Sequence, residues 1–100
     1  EKVHEDEFSL FFYDISPQAK IHVLGIPKVK CVDFSDFINN FDQTQISSFF
    51  KSVNLVVSKL KIQKSGYRII TNSGSDGGQE VPHFHVHILA GERVGQIRQQ

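Results

Sequence analysis

The sequence predicts an α+β domain in which a mainly antiparallel sheet of about five strands carries one short and one long helix on one face. Two observations carry this expectation. Ile46, Phe49, Phe50, Val53, Val56, Val57 and Leu60 repeat at helical spacing, with Lys51, Ser52, Ser58 and Lys59 on the other side. This helical centre is bracketed by extended runs of β-branched and aromatic residues, so the order reads strand, strand, helix, helix, strand, strand.

From Phe8 to Asp14, Phe8, Leu10 and Phe12 fall on one face and Phe11 and Tyr13 on the other, predicting a strand buried on both sides. Ser16-Pro17-Gln18-Ala19 supplies a turn, because proline fixes φ and serine bonds the local backbone. Ile21 to Ile26 is the second arm of the hairpin, and Pro27 ends it by removing a ladder donor.

Lys28-Val29-Lys30 leads to a short helix from about Phe34, with Asp33 or Ser35 as its cap and Asn39-Asn40 as its stop. Asp42 followed by Gln45 resembles a capping box at the start of the long helix. Lys61 and Lys64 suit a helix C-terminus, and Ser65-Gly66 breaks the chain before a strand from Tyr67 to Asn72. The glycine-rich stretch Ser73 to Gln79 separates it from a last strand, Pro82 to Leu89.

The 100 residues, 39% of them hydrophobic, suffice for one domain with one core and are too few for two. Eleven basic residues balance eleven acidic ones, which removes the electrostatic footprint of a nucleic-acid polymer or an anionic membrane and leaves any anion to be recognised locally. No apolar run reaches the roughly 18 to 20 residues of a membrane span or resembles a secretion signal. Cys31 has no cysteine to pair with, and a cytoplasmic location is expected. With no methionine and a polar opening, the chain is expected to be preceded by a translated segment.

The chemistry concentrates in the last strand. Alternation places His83, His85 and His87 on one face and Phe84, Val86 and Ile88 on the other. Burying three imidazoles for packing alone would require three sets of partners, since an unsatisfied buried polar group costs about 1–3 kcal/mol. Two working roles are open: ligands of a zinc ion with one free position, or a nucleophile with its acid–base partners, which the ordinary imidazole pKa of about 6.5 permits. No cysteine or histidine ligand motif accompanies the triplet. Gly74, Gly77 and Gly78 would let backbone amides approach a phosphate, which favours the nucleophile.

Asn72 through Ala90, with Gly77, Gln79, Val81 and His83-Phe84-His85-Val86-His87-Ile88-Leu89, resembles the signature of the histidine-triad (HIT) family. Asp14 to Ala19, His22-Val23-Leu24, Ile26-Pro27-Lys28, Gly66-Tyr67-Arg68 and the Ser75-Asp76-Gly77-Gly78 loop resemble its Hint branch, the nucleoside phosphoramidases, and the resemblance runs from about Val3 to Gly91. It implies one HIT-like domain over residues 1–100 that lacks the family's N-terminal portion. It also implies a homodimer that binds a purine nucleotide and hydrolyses a phosphoramidate or related bond at the α-phosphate, with no cofactor and no metal. His85 would be the nucleophile forming a nucleotidyl-histidine, with His83, His87 and His22 as its companions. Asp14, Ile15, Asn72, Gly78, Gln79 and Glu80 would line the substrate site.

Two positions depart from the branch. Glu80 stands where a serine or threonine is usual near the leaving group, and Lys30 where many relatives have a histidine. A nucleotide-binding signalling or scaffold module, a dinucleoside polyphosphate hydrolase and a zinc hydrolase are the competing readings. Adenylate left on His85, substrate preference and chelator sensitivity separate them.

Overall fold

The computed structural model describes residues 1–97, so the last three residues of the expected 1–100 domain lie outside the description. Its strands are β1 (Lys2–Glu5), β2 (Ser9–Tyr13), β3 (Ile21–Pro27), β4 (Tyr67–Ile70) and β5 (Val86–Ala90), and its helices are α1 (Phe34–Asn40) and α2 (Gln43–Lys59). The strands form one antiparallel sheet in the order β1-β2-β3-β5-β4, the expected architecture. Among the described residues no helix is long and apolar enough to cross a membrane.

Both helices start at the predicted caps. The Asp33 carboxylate accepts from the Asp36 amide at 2.9 Å, and Asp42 and Gln45 form a complete capping box with bonds of 2.8 and 3.1 Å. Phe37 of α1 and Phe49 of α2 press onto the sheet. Phe37 stacks on Phe84 with ring centroids 4.9 Å apart, and Phe49 on Phe11 at 5.9 Å. Phe11 lies opposite Gly25 of β3, where a Cβ would stand 2.2 Å from Phe11 Cε2, so glycine makes room for the ring.

Three expectations are corrected. β1 opens the chain in a stretch read only as polar. Val3 is its one buried residue, and the strand is held by Lys59 Nζ donating to the Val3 carbonyl at 2.6 Å and by pairing with β2. Ser52 is buried rather than on the solvent side of α2, because its hydroxyl donates to Asp6 Oδ2 at 2.6 Å. β2 is sealed on one face only, where Phe11 is fully buried. Leu10 and Phe12 on the other face are half-buried, and that face carries the site.

Asp6 joins β1 to α2. Its partial burial opposes ionisation, but the Ser52 hydroxyl, His4 and the amides of Phe8 and Ser9 outweigh that and hold its pKa at about 2.

Candidate active site

The sheet face away from the helices carries the histidines. Leu24 pairs with His87, which also pairs with Ile70, and His22 pairs with Leu89, so the register sets these side chains on one surface. The last strand begins at Val86 and not at Pro82 as the sequence predicts. Pro82 has no N–H to give, and the pairing with β3 ends at Gly25 and Val86 although β3 itself runs on to Pro27. Instead the Phe84 amide donates to the Cys31 carbonyl at 2.8 Å, and Thr71 Oγ1 donates to the His85 carbonyl at 2.7 Å. The alternation survives this change: Phe84, Val86 and Ile88 are buried in the core, and His83, His85 and His87 are each only half-covered.

Fixed donors and acceptors assign the protons. The Gln18 amide can only donate, and it reaches His22 Nδ1 at 3.0 Å, so the His22 proton sits on Nε2. That Nε2–H donates to His87 Nδ1 at 2.9 Å, with Asp14 Oδ2 3.5 Å away, which leaves the His87 proton on Nε2. The His83 carbonyl can only accept. It lies 2.8 Å from His85 Nδ1, so Nδ1 carries a proton and the neutral ring would have its lone pair on Nε2. His83 Nε2 donates to the Pro27 carbonyl at 3.3 Å. Burial first, and then the neighbouring His85 and His22, hold the pKa of His87 below the ordinary imidazole value, against the opposing pull of Asp14.

The Asp14 carboxylate is positioned by its own turn, with Oδ1 accepting from the Ser16 amide at 2.7 Å. A cleft of about 310 Å³ is lined by Asp14, Leu24, Asn72, Gly78, Gln79, Glu80, Val81, His85 and His87. Of the predicted residues, His22 lies buried behind His87. His83 lines an adjoining apolar cavity with Phe12, Leu24, Ile26, Val81 and His85. Ile15 is 96% exposed and lines neither space.

The glycine loop is braced internally. The Gln79 side chain accepts from the Gly74 amide at 3.0 Å and donates to the carbonyls of Val32 and Val81 at 2.7 and 3.1 Å. Asn72 Nδ2 donates to the Gly77 carbonyl at 2.8 Å. The amides of Gly78 and Gln79 donate to Ser75 and Gly74 carbonyls, so the amides of 74, 78 and 79 hold the loop together rather than standing free for an anion. Gly74 and Gly78 take φ of 70° and 78°, which side chains rarely adopt.

Asp14, His22 and His87 are also the described residues whose ligand atoms gather closely enough to hold a metal ion, within 4.8 Å of one another. A cation there would have to displace the proton shared by His22 and His87. Sequence reasoning missed the apolar wall of Phe12, Leu24, Ile26 and Val81. Period two alone could have put Leu24 and Ile26 beside His22, but only the strand register adds Phe12.

A family model described as HIT domain matches residues 1–94. The chain is similar to an uncharacterized HIT-like protein of Azospirillum brasilense, at 44% identity over 96 residues that cover 96% of this chain and 79% of that protein. Its structure is similar to that of a HIT family hydrolase from Legionella pneumophila, with a TM-score of 0.88, 34% identity and coverage of 96% of this chain and 85% of that one. It is also similar to a histidine triad nucleotide-binding protein from Candida albicans, with a TM-score of 0.76, 28% identity and coverage of 87% and 62%. The three histidines, the braced loop before them and a match running almost the length of the chain lead to one conclusion: the chain belongs to the HIT domain family.

Proposed function

We propose that this protein is a purine nucleotide-binding hydrolase that cleaves nucleoside phosphoramidates or related bonds at the α-phosphate through a nucleotidyl-histidine intermediate. The observation that carries the proposal is the hydrogen bond from His85 Nδ1 to the His83 carbonyl, which in the neutral ring leaves Nε2 as the nitrogen free to attack at the cleft. In the first step His85 Nε2 bonds to phosphorus as the P–N bond breaks, and the leaving nitrogen takes up one proton from solvent. Water then attacks phosphorus, the bond to His85 breaks, and one proton returns to solvent with the nucleoside monophosphate released.

The His87 Nε2–H serves as a donor to the phosphoryl oxygens, and His22 holds it in that tautomer. His83, tied to Pro27, keeps its carbonyl under His85. The apolar cavity beside the cleft, with Phe12, Leu24 and Ile26, suits the base, and Asp14 suits the ribose. The protein works as a homodimer in this reading, supported by β4 at the sheet edge, whose Tyr67 and Ile69 are 40% and 44% exposed.

The test is hydrolysis of an adenosine phosphoramidate by the parent and by His85→Ala, with a chelator present. Adenylate release by the parent that falls at least about 10³-fold in the variant, together with adenylate trapped on His85 in the parent, supports the proposal. Adenylate binding with no turnover by the parent would instead make it a nucleotide-binding module. Turnover lost to the chelator and restored by zinc would point to Asp14, His22 and His87 as ligands.

A further inference from the structure

The cleft meant to receive a phosphoryl anion has no lysine or arginine in its wall, yet it has two carboxylates, Asp14 and Glu80. Asp14 is accounted for by the Ser16 amide and His22. The Glu80 carboxylate has no hydrogen bond or ion pair among the described residues. Nor is Glu80 on a loose loop. It follows Gln79, whose amide is bonded to Gly74, Val32 and Val81, and it precedes Val81, whose carbonyl accepts from the His83 amide at 2.8 Å, and Pro82.

The exposed Glu80 carboxylate at this wall repels negative charge, and no lysine or arginine in the lining offsets it. A substrate gains from that carboxylate only if it brings a positive charge on the part that points away from the nucleoside. We propose that Glu80 is a specificity-determining residue that selects leaving groups bearing a cation, namely amines that carry a second, ammonium group, and that rejects phosphate or carboxylate leaving groups. This rests on the phosphoramidase reading above and leaves its two steps and their proton balance unchanged.

The measurement is kcat/KM for three adenosine phosphoramidates whose leaving amines match in size and basicity, one carrying an ammonium, one neutral and one carrying a carboxylate. The parent is compared with Glu80→Gln, Glu80→Lys and Glu80→Asp. A single surface-exposed charge pair is a roughly fivefold effect at low salt, the ratio of cationic to anionic substrate contains one attraction and one repulsion, and salt screens both. The parent is expected to prefer the cationic over the anionic substrate. Glu80→Gln lowers that ratio about tenfold, Glu80→Lys inverts it, and Glu80→Asp keeps most of it. Added salt compresses the ratio in the parent and much less in Glu80→Gln.

An unchanged ratio in Glu80→Gln, while the parent still turns over the neutral substrate, overturns the proposal and leaves the phosphoramidase reading standing. An equal loss on all three substrates also overturns it, because Glu80 would then only shape the loop. Failure of the parent on all three substrates removes both readings together.

Discussion

Burial and two neighbouring imidazoles hold His87 below its ordinary pKa, and this fixes the sign of a pH effect on stability. Between the unfolded value of about 6.5 and the lower folded value, the unfolded chain takes up a proton that the folded chain refuses, so stability falls as pH drops through that window. Protonated His87 also has no lone pair left at Nδ1 for the His22 Nε2–H. Denaturant titrations should therefore show the parent losing stability between pH 7 and pH 5, and His87→Gln losing less over the same interval. A variant with the parent's full loss would sink this account. The histidine spacing at 83, 85 and 87 was legible because a strand repeats every two residues. The proton assignments were not, because they depend on the Gln18 amide and the His83 carbonyl, backbone groups common to every residue type. Ser52 was placed wrongly since its partner, Asp6, is 46 residues away in sequence.

At the level of strands and helices, the long helix was the plainest feature, since both its apolar repeat and its capping box survive intact in α2. β1 escaped notice because only Val3 faces inward, and alternation needs at least two buried residues to be seen. The start of β5 was read four residues early because apolar alternation continues through Phe84, whereas the ladder with β3 stops at Gly25 and Val86 and the Phe84 amide turns to the Cys31 carbonyl. The tightest constraint within the sheet is the pairing of Phe11 with Gly25. A methyl group there would meet the Phe11 ring at 2.2 Å, and the ring is already packed on Phe49. Gly25→Ala is expected to destabilise the protein by about 1–3 kcal/mol, as overpacking of a filled core does. A chemical-denaturation midpoint equal to the parent's would show that the ring moves aside freely.

For the whole molecule, the helices cover one face of the sheet and the histidines occupy the other, and the two edges differ. β1 is tied to α2 through Lys59 and the Asp6–Ser52 pair, whereas β4 presents Tyr67 and Ile69 at an open margin. If that margin is the proposed dimer contact, light scattering should give twice the 11.4 kDa of the chain, and Ile69→Lys should shift the mass toward the monomer. A monomeric parent would refute the dimer. The sheet order could not be read from the sequence, because β5 inserts between β3 and β4 and nothing local records that crossover.

The bond between His22 and His87 spans 65 positions of sequence, and the segment before β5 is fastened to carbonyls of Pro27, Cys31 and Val32. During synthesis, everything up to the glycine loop emerges while the site still lacks His83, His85 and His87. The strand that follows the loop, β5, slots between β3 and β4 and brings His87 onto His22. On the proposed mechanism, a chain cut before His83 is therefore expected to release no adenylate from a phosphoramidate, and turnover begins only once β5 has joined the sheet.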